Sequence, residues 1–349
     1  MALAAVCLLA ALCSLHATNA PVFRHALERW PASDYEIVVF HRGELAGGDQ
    51  ALVDRLRAAR DHSFANVAVK TVNVSGQMDA GMEELWTCQT NPLPPWVVVR
   101  APDTSADAAP VWSGRLTESV AAALVDSPAR RKIAEGLLRG VTAVWVLLEC
   151  GEAARDEAAV DTLSAALKRL AEQMTLSKPA PGDPKLRSPL PLAVEFALVR
   201  ITRTDPAEEF FVALLQHGQQ MFAARPAAFP VYGRGRMLGA IVGREIDAAS
   251  IEQACATIAG ACSREAKEEN PGRDLLLAAN WNTIFEPDAG KNTVSASANR
   301  PSSPTPVVPA GAAQASAGNR GRWTTYLALA AALIVTAGFI ALRLRRGQR

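Results

Sequence analysis

Between Tyr35 and Val74 the chain sets two short β-branched runs, YEIVVF at residues 35 to 40 and VAVKTVNV at 67 to 74, on either side of a stretch with helical spacing. Within that stretch, Gln50 to Arg60, the apolar residues Ala51, Leu52, Leu56 and Ala59 recur at the helical period. Strand, helix and strand in this order require a parallel pair closed by a right-handed crossover, so the fold class is α/β. Gly81 to Cys88 reads as a short helix, and NPLPPWVVVRAP follows it. There Pro95 directly precedes the strand Trp96 to Arg100, a place where proline is tolerated. Val111 to Ser113, ended by Gly114, reads as a hairpin partner, and Thr117 to Leu124 as a closing helix.

The order then recurs. Val141 to Glu149 reads as a strand, Asp156 to Met174 as a long helix, and Ala193 to Ile201 as a second strand beyond a Pro-rich loop at residues 177 to 191. Pro206 to His217 reads as a helix, and Phe229-Pro230-Val231-Tyr232 repeats the step from proline into strand. Met237 to Val242 supplies a hairpin partner and Ala248 to Ile258 the last helix. GRGRMLG, Gly233 to Gly239, lies between strands and reads as a hairpin turn, since a phosphate cradle needs strand, glycines and then helix. Residues 265 to 287 read as a helical extension of the second half.

Each half resembles the thioredoxin fold, whose cis-proline precedes its third core strand; Pro95 is the residue that matches it. The resemblance implies two thioredoxin-like domains, each a central mixed sheet flanked by helices. Where that family carries Cys-x-x-Cys after its first strand, the first half has His41-Arg42-Gly43-Glu44, and the second has Cys150-Gly151-Glu152-Ala153. Cys150 therefore stands at a strand-to-helix junction, where backbone N–H groups and the helix dipole favour a thiolate. Ala153 takes the place of a resolving cysteine, and Glu149, Glu152, Asp156 and Glu157 surround the thiol with negative charge. Cys150 reads as a relic of a redox position, with a monothiol role as the alternative.

Beyond residue 20 the cysteines are Cys88, Cys150, Cys255 and Cys262. Four cysteines allow three complete pairings, and spacing does not choose among them. Cys255 and Cys262 are nearest in sequence; they can form a disulfide if Gly260 ends the helix between them, and are otherwise buried thiols. The five histidines show no metal-ligand spacing, so no metal and no other cofactor is expected. With 36 basic and 35 acidic residues the net charge is +1, which recruits no nucleic acid.

The two ends locate the chain. Residues 1 to 20 form an apolar run with small residues near its end and read as a signal peptide, although they lack Lys and Arg and Pro21 follows Thr18-Asn19-Ala20. Trp323 to Leu342 holds twenty uncharged residues, which as a helix span about 30 Å, and Arg343, Arg345, Arg346 and Arg349 follow it. By the positive-inside rule this is a transmembrane helix with its C-terminus in the cytoplasm. Alanine-rich, arginine-rich composition points to a bacterial source, hence to a single-pass inner-membrane protein with a periplasmic ectodomain. The organisation expected is a signal peptide (1–20), a first domain (21–136), a second domain (137–290), a Pro/Ser/Ala linker (291–322), a transmembrane helix (323–342) and a basic tail (343–349). The function expected is tethered binding or scaffolding, with another envelope or integral membrane protein as partner. The contact surfaces expected are Pro95 with Trp96 and, in the second half, Pro230 with Tyr232.

Overall fold

The computed structural model describes residues 18–102, 108–177, 183–218 and 224–286. The linker, the expected transmembrane helix, the basic tail and most of the expected signal peptide lie outside these residues. Among the described residues no helix is long and apolar enough to cross a membrane.

In the first half, β2 (Tyr35–His41), α2 (Gly47–His62), β3 (Val67–Asn73), α3 (Ala80–Thr87), β4 (Trp96–Arg100), β5 (Trp112–Arg115) and α4 (Glu118–Val125) follow in order. The strands form a sheet of order β3-β2-β4-β5, in which β2 and β3 are parallel and the other pairs antiparallel. After α5 (Pro128–Leu138), the second half runs β6 (Ala143–Glu149), α6 (Ala153–Gln173), β7 (Phe196–Thr202), α7 (Glu209–Gln216), β8 (Ala227–Tyr232), β9 (Arg236–Met237), β10 (Ile241–Val242) and α8 (Ala248–Ala259). Here β7 is parallel to β6, β8 antiparallel to β6, and β9 antiparallel to β8. Four strands of the second sheet, β7-β6-β8-β9, thus repeat the order and directions of the first, and the second sheet adds β10 against β8 and Arg273–Asp274 against β9. The fold is α/β with mixed sheets flanked by helices, and it is compatible with thioredoxin-like folds.

Helix starts follow local chemistry. Asp79, Thr117, Ser127 and Asp247 each accept a hydrogen bond from a backbone N–H three residues on, capping α3, α4, α5 and α8. The near-continuous apolar runs Ile37 to Phe40 and Ala143 to Leu148 are buried on both faces. One face of β2 and β4 (Ile37, Val39, Val97, Val99) shares a contiguous core with Val144, Val146 and Leu148 of β6. On the opposite faces, Val38, Phe40 and Val98 meet Met82 and Leu85 of α3, while Trp145 and Leu147 meet Leu163 and Leu167 of α6 and Ile251 and Ile258 of α8. The boundary expected at residue 136 falls inside α5, which packs on β6 and β7.

The N-terminal segment belongs to the second sheet's layer. β1 (Thr18–Pro21) pairs antiparallel with β11 (Ala261–Cys262), and α1 (Val22–Arg29) packs against α8 and β8. The turn after β8 presses on α1 so closely that a Cβ on Gly233 would lie 2.6 Å from that of Ala26. Gly233 also has φ +60, so glycine is needed there twice over. Within α1 the buried pair Arg24 and Glu28 fastens the distant Pro-rich loop between α6 and β7: Arg24 donates to the Leu190 carbonyl, and Glu28 accepts from the Arg187 and Ser188 amides.

Residues 265 to 286 do not form the helical extension expected from sequence. They contain two short 3-10 turns, Lys267–Glu269 and Trp281–Phe285, and between them an extended run that includes β12 (Arg273–Asp274). Leu275, Leu276 and Leu277 are all buried in the core shared by both sheets, which an amphipathic helix with one apolar face does not allow. Because this run lies inside, its backbone polar groups need partners. Leu275 N–H donates to the Gly235 carbonyl, the Leu275 carbonyl accepts from Asn66 Nδ2, and Leu277 N–H donates to Asn66 Oδ1. The Leu276 carbonyl accepts from Arg130 and the Asp274 carbonyl from the Tyr35 hydroxyl.

Replacing Asn66 by alanine removes partners from two buried backbone groups of the 275–277 run. It is expected to cost about 3 kcal/mol, since each unsatisfied buried group costs about 1–3 kcal/mol. The check is a urea unfolding curve of the full chain, with a lower midpoint and an unchanged slope.

Candidate functional site

Both sheets bring a strand-to-helix loop next to a proline that opens the third strand of the pattern. In the first, Phe40 pairs with Trp96, so one step further along the antiparallel register His41 faces Pro95. The loop from His41 to Glu44 is closed locally: His41 Nδ1 hydrogen-bonds the Gly43 carbonyl at 2.8 Å, and Gly43 N–H donates to Asn73 Oδ1 at 3.2 Å. Pro94–Pro95 is the one cis peptide bond among the described residues, and the Pro95 carbonyl accepts from Leu116 N–H. Trp96 is half-buried, its indole N–H donating to Gln89 Oε1 at 3.2 Å, and it packs beside Trp86. Leu93, two residues before Pro95, is 65% exposed.

In the second sheet Leu148 pairs with Ala227, which sets Cys150 beside the Arg225–Pro226 corner. Pro226 stands to β8 as Pro95 stands to β4: each immediately precedes its strand, and the Pro226 carbonyl accepts from Gly243 N–H at 2.8 Å. The sequence reading placed this step at Pro230. Pro230 and Tyr232 instead lie within β8, buried along its whole length, and Tyr232 is 1% exposed with its hydroxyl donating to the Pro271 carbonyl. They offer no contact surface. Pro230 is tolerated inside the sheet because its amide edge points away from β6, to where Leu238 N–H meets its carbonyl and β8 passes from pairing with β10 to pairing with β9. The Ala227-Ala228 pair that follows Pro226 lacks the β-branched signal of a strand start, which is why the pattern pointed four residues too far.

Asp156 decides the chemistry around Cys150. It lies four residues into α6, is buried, and accepts from Cys150 N–H at 2.8 Å and from Gly151 N–H at 2.9 Å. Two of the loop's backbone donors, the Cys150 and Gly151 N–H groups, are therefore committed to a carboxylate, and the Glu152 N–H is left to the thiol. Burial raises the Cys150 thiol pKa above its ordinary value; the Glu152 N–H partly opposes this, and the hydrogen bond and charge of Asp156 add to the rise. The neighbouring Glu149 and Glu157 are paired with Arg200, both at 2.6 Å, and the charge of Glu152 adds to that of Asp156 in raising the thiol pKa. Arg155 and Arg203 hold the other wall by donating to the Ala224 and Arg225 carbonyls.

The remaining cysteines are separate. Cys88, Cys150, Cys255 and Cys262 are all free thiols, so the structure carries no bridge between Cys255 and Cys262. Gly260 does end α8 between these two, with Cys262 passing into β11. Both are fully buried, and Cys262 donates its thiol proton to the Arg264 carbonyl. Burial pushes the Cys255 thiol up to about 12, opposed in part by the nearby indole N–H of Trp145. Among the described residues no group of three or more His, Cys, Asp or Glu is placed to hold a metal ion.

Two outcomes follow from these environments. Asp156→Asn removes the charge and leaves an acceptor for one of the two amides, so Cys150 is expected to alkylate several-fold faster at pH 8, with its titration midpoint shifted down; iodoacetamide labelling read by mass spectrometry checks this. For Cys255 the folded pKa lies above the unfolded one, so its stabilising contribution is complete below about pH 9 and is lost as pH rises towards 12. Within that window the slope for one group is about −1.4 kcal/mol per pH unit, and Cys255→Ala is expected to flatten the alkaline limb of stability against pH by that amount. Set against protein-family models, curated proteins and solved structures, the chain matches none of them.

Proposed function

We propose that the chain is a membrane-tethered extracytoplasmic binding or scaffolding protein, built on two thioredoxin-like units without a Cys-x-x-Cys pair, that serves as an accessory of an envelope or membrane protein complex. The observation that carries this reading is the surface of the first unit at Leu93 to Trp96. An exposed leucine, two consecutive prolines and a half-buried tryptophan form a stiff apolar patch, with the His41–Glu44 loop beside it. Prolines fix their backbone before any partner arrives, so ordering this surface on binding costs little. Local concentration at the membrane makes weak contacts sufficient. On this reading the second unit is a supporting body, its corresponding corner at Pro226 being buried.

The alternative, a monothiol redox protein using Cys150, runs against the commitment of the Cys150 and Gly151 amides to Asp156 and the raised thiol pKa. Of the two thiols that this alternative offers for resolving at a distance, Cys88 and Cys262, Cys262 is fully buried and Cys88 is exposed.

A photocrosslinking residue at position 93 of the full chain, expressed in its membrane, tests the proposal. The expected result is a discrete adduct with a membrane protein that is missing when the same residue is placed at the exposed Glu118. Leu93→Asp is expected to weaken that association by at least ~1 kcal/mol, the threshold for an energetically significant interface residue. Equal, diffuse labelling from both positions would remove this surface as the contact.

A further inference from the structure

A leader cut after Ala20 would fall inside a strand. Thr18-Asn19-Ala20 supplies the small residues that a leader's end needs, yet the same three residues with Pro21 make up β1. In the antiparallel register Thr18 pairs with Cys262 and Pro21 with Ala261, and Val22 N–H extends the contact by donating to the Gly260 carbonyl at 2.9 Å. Ala20 is 2% exposed and Pro21 is buried. Asn19 N–H donates to Asp183 Oδ2 at 3.1 Å, which ties the strand to the Pro-rich loop as well.

Cutting there has two physical consequences. It removes three of the four residues of β1, and among the described residues β11 pairs with no other strand, so the backbone of Ala261 and Cys262 loses its cover. It also places a new ammonium group on Pro21, the residue that precedes the first turn of α1. No acidic residue stands in that turn, and a positive charge at a helix N-terminus opposes the helix dipole. The helix beyond is committed to the interior, every residue from Val22 to Glu28 being buried.

We propose, on the reading of the N-terminal apolar run as a leader, that the leader ends before Thr18, so that Thr18 to Ala20 stay on the mature protein as a clasp over β11. Pro21 acts in the same direction, since it brings no N–H and a fixed φ to the bond that would otherwise be cut. The clasp shelters Cys262, which is fully buried with its thiol donating to the Arg264 carbonyl. Cys255, buried within α8 and without a register partner in β1, is an internal reference for the rest of the layer.

The intact mass of the full chain purified from the membrane of a bacterial host reads the mature N-terminus directly. The expected terminus is Thr18 or a residue before it, and an exported chain that begins at Pro21 overturns the proposal. Protease added to spheroplasts reads export separately: a chain that is not exported removes the leader, and this cut with it. Two leaderless versions of the otherwise full chain, one beginning at Thr18 and one at Pro21, are then compared by maleimide labelling and mass spectrometry. The Pro21 version is expected to label at Cys262 about ten-fold faster or more, through local opening of β11, while Cys255 stays protected in both. Equal protection of Cys262 in the two versions also overturns the clasp.

Discussion

The rest of the structure depends on a short extended run, Asp274 to Leu277, that leaves the edge of the second sheet at β12 and continues inside the protein with most of its backbone unpaired by any strand. Every buried amide and carbonyl there must find a partner or cost about 1–3 kcal/mol. The partners come from elements far apart in sequence: Asn66 from the first sheet's crossover, Tyr35 from its first strand, Arg130 from the helix between the sheets, and Gly235 from the second hairpin. Arg130 is the most constrained of these. It is buried, donates to the Ala123, Leu124 and Val125 carbonyls at the end of α4, and lies over the Phe210 ring of α7. Burial pulls its guanidinium down to about 10, partly opposed by Asp126 and Glu208. One side chain thus joins the end of α4, the buried run and the Phe210 ring of α7.

The same logic of committed polar groups governs the two loop corners. A strand-to-helix junction offers unpaired N–H groups, and in a redox protein their value lies in being free to meet a thiolate. Asp156 takes two donors of the Cys150 loop from within its own helix, while Asn73 takes the Gly43 donor in the first half. The corners are structurally complete without a ligand. What the first half leaves exposed beside its cis-proline includes Leu93 together with the polar Arg42 and Glu44.

Much of the architecture was legible because it rests on local signals. YEIVVF and VWVLLE are dense in β-branched and apolar residues and are buried on both faces, so they read as strands whatever surrounds them. The long helix α6 shows its period through Leu163, Ala166, Leu167 and Leu170. The features that escaped are those set by distant contacts. Leu275 to Leu277 are apolar in both a helix and a strand, and their conformation is decided by Asn66 and Arg130, more than a hundred residues earlier. The charge knot of Arg236, Lys267 and Asp274 was invisible for the same reason: GRGRMLG read as a hairpin turn, and its Arg236 is buried by the return of the chain. Pro226 was hidden by alanines, which carry little strand preference.

The pairing of Thr18–Pro21 with Ala261–Cys262 bears on how the molecule is made. In chain order the first sheet is an insertion between two parts of the second layer, because α1 and β1 are synthesised first but belong with α8 and β11. No part of that pairing can form until residue 262 has emerged. Contacts of such long sequence separation close late, after the loop entropy has been met by everything between them. Until then α1, whose faces are buried in the finished protein, has no surface to lie on. The first sheet, contiguous from Tyr35 to Val125, can assemble its strands as they appear. The growing chain therefore carries α1 without its packing partners until residue 262 has been added, and a strand near the far end of the fold is the one that fastens β1.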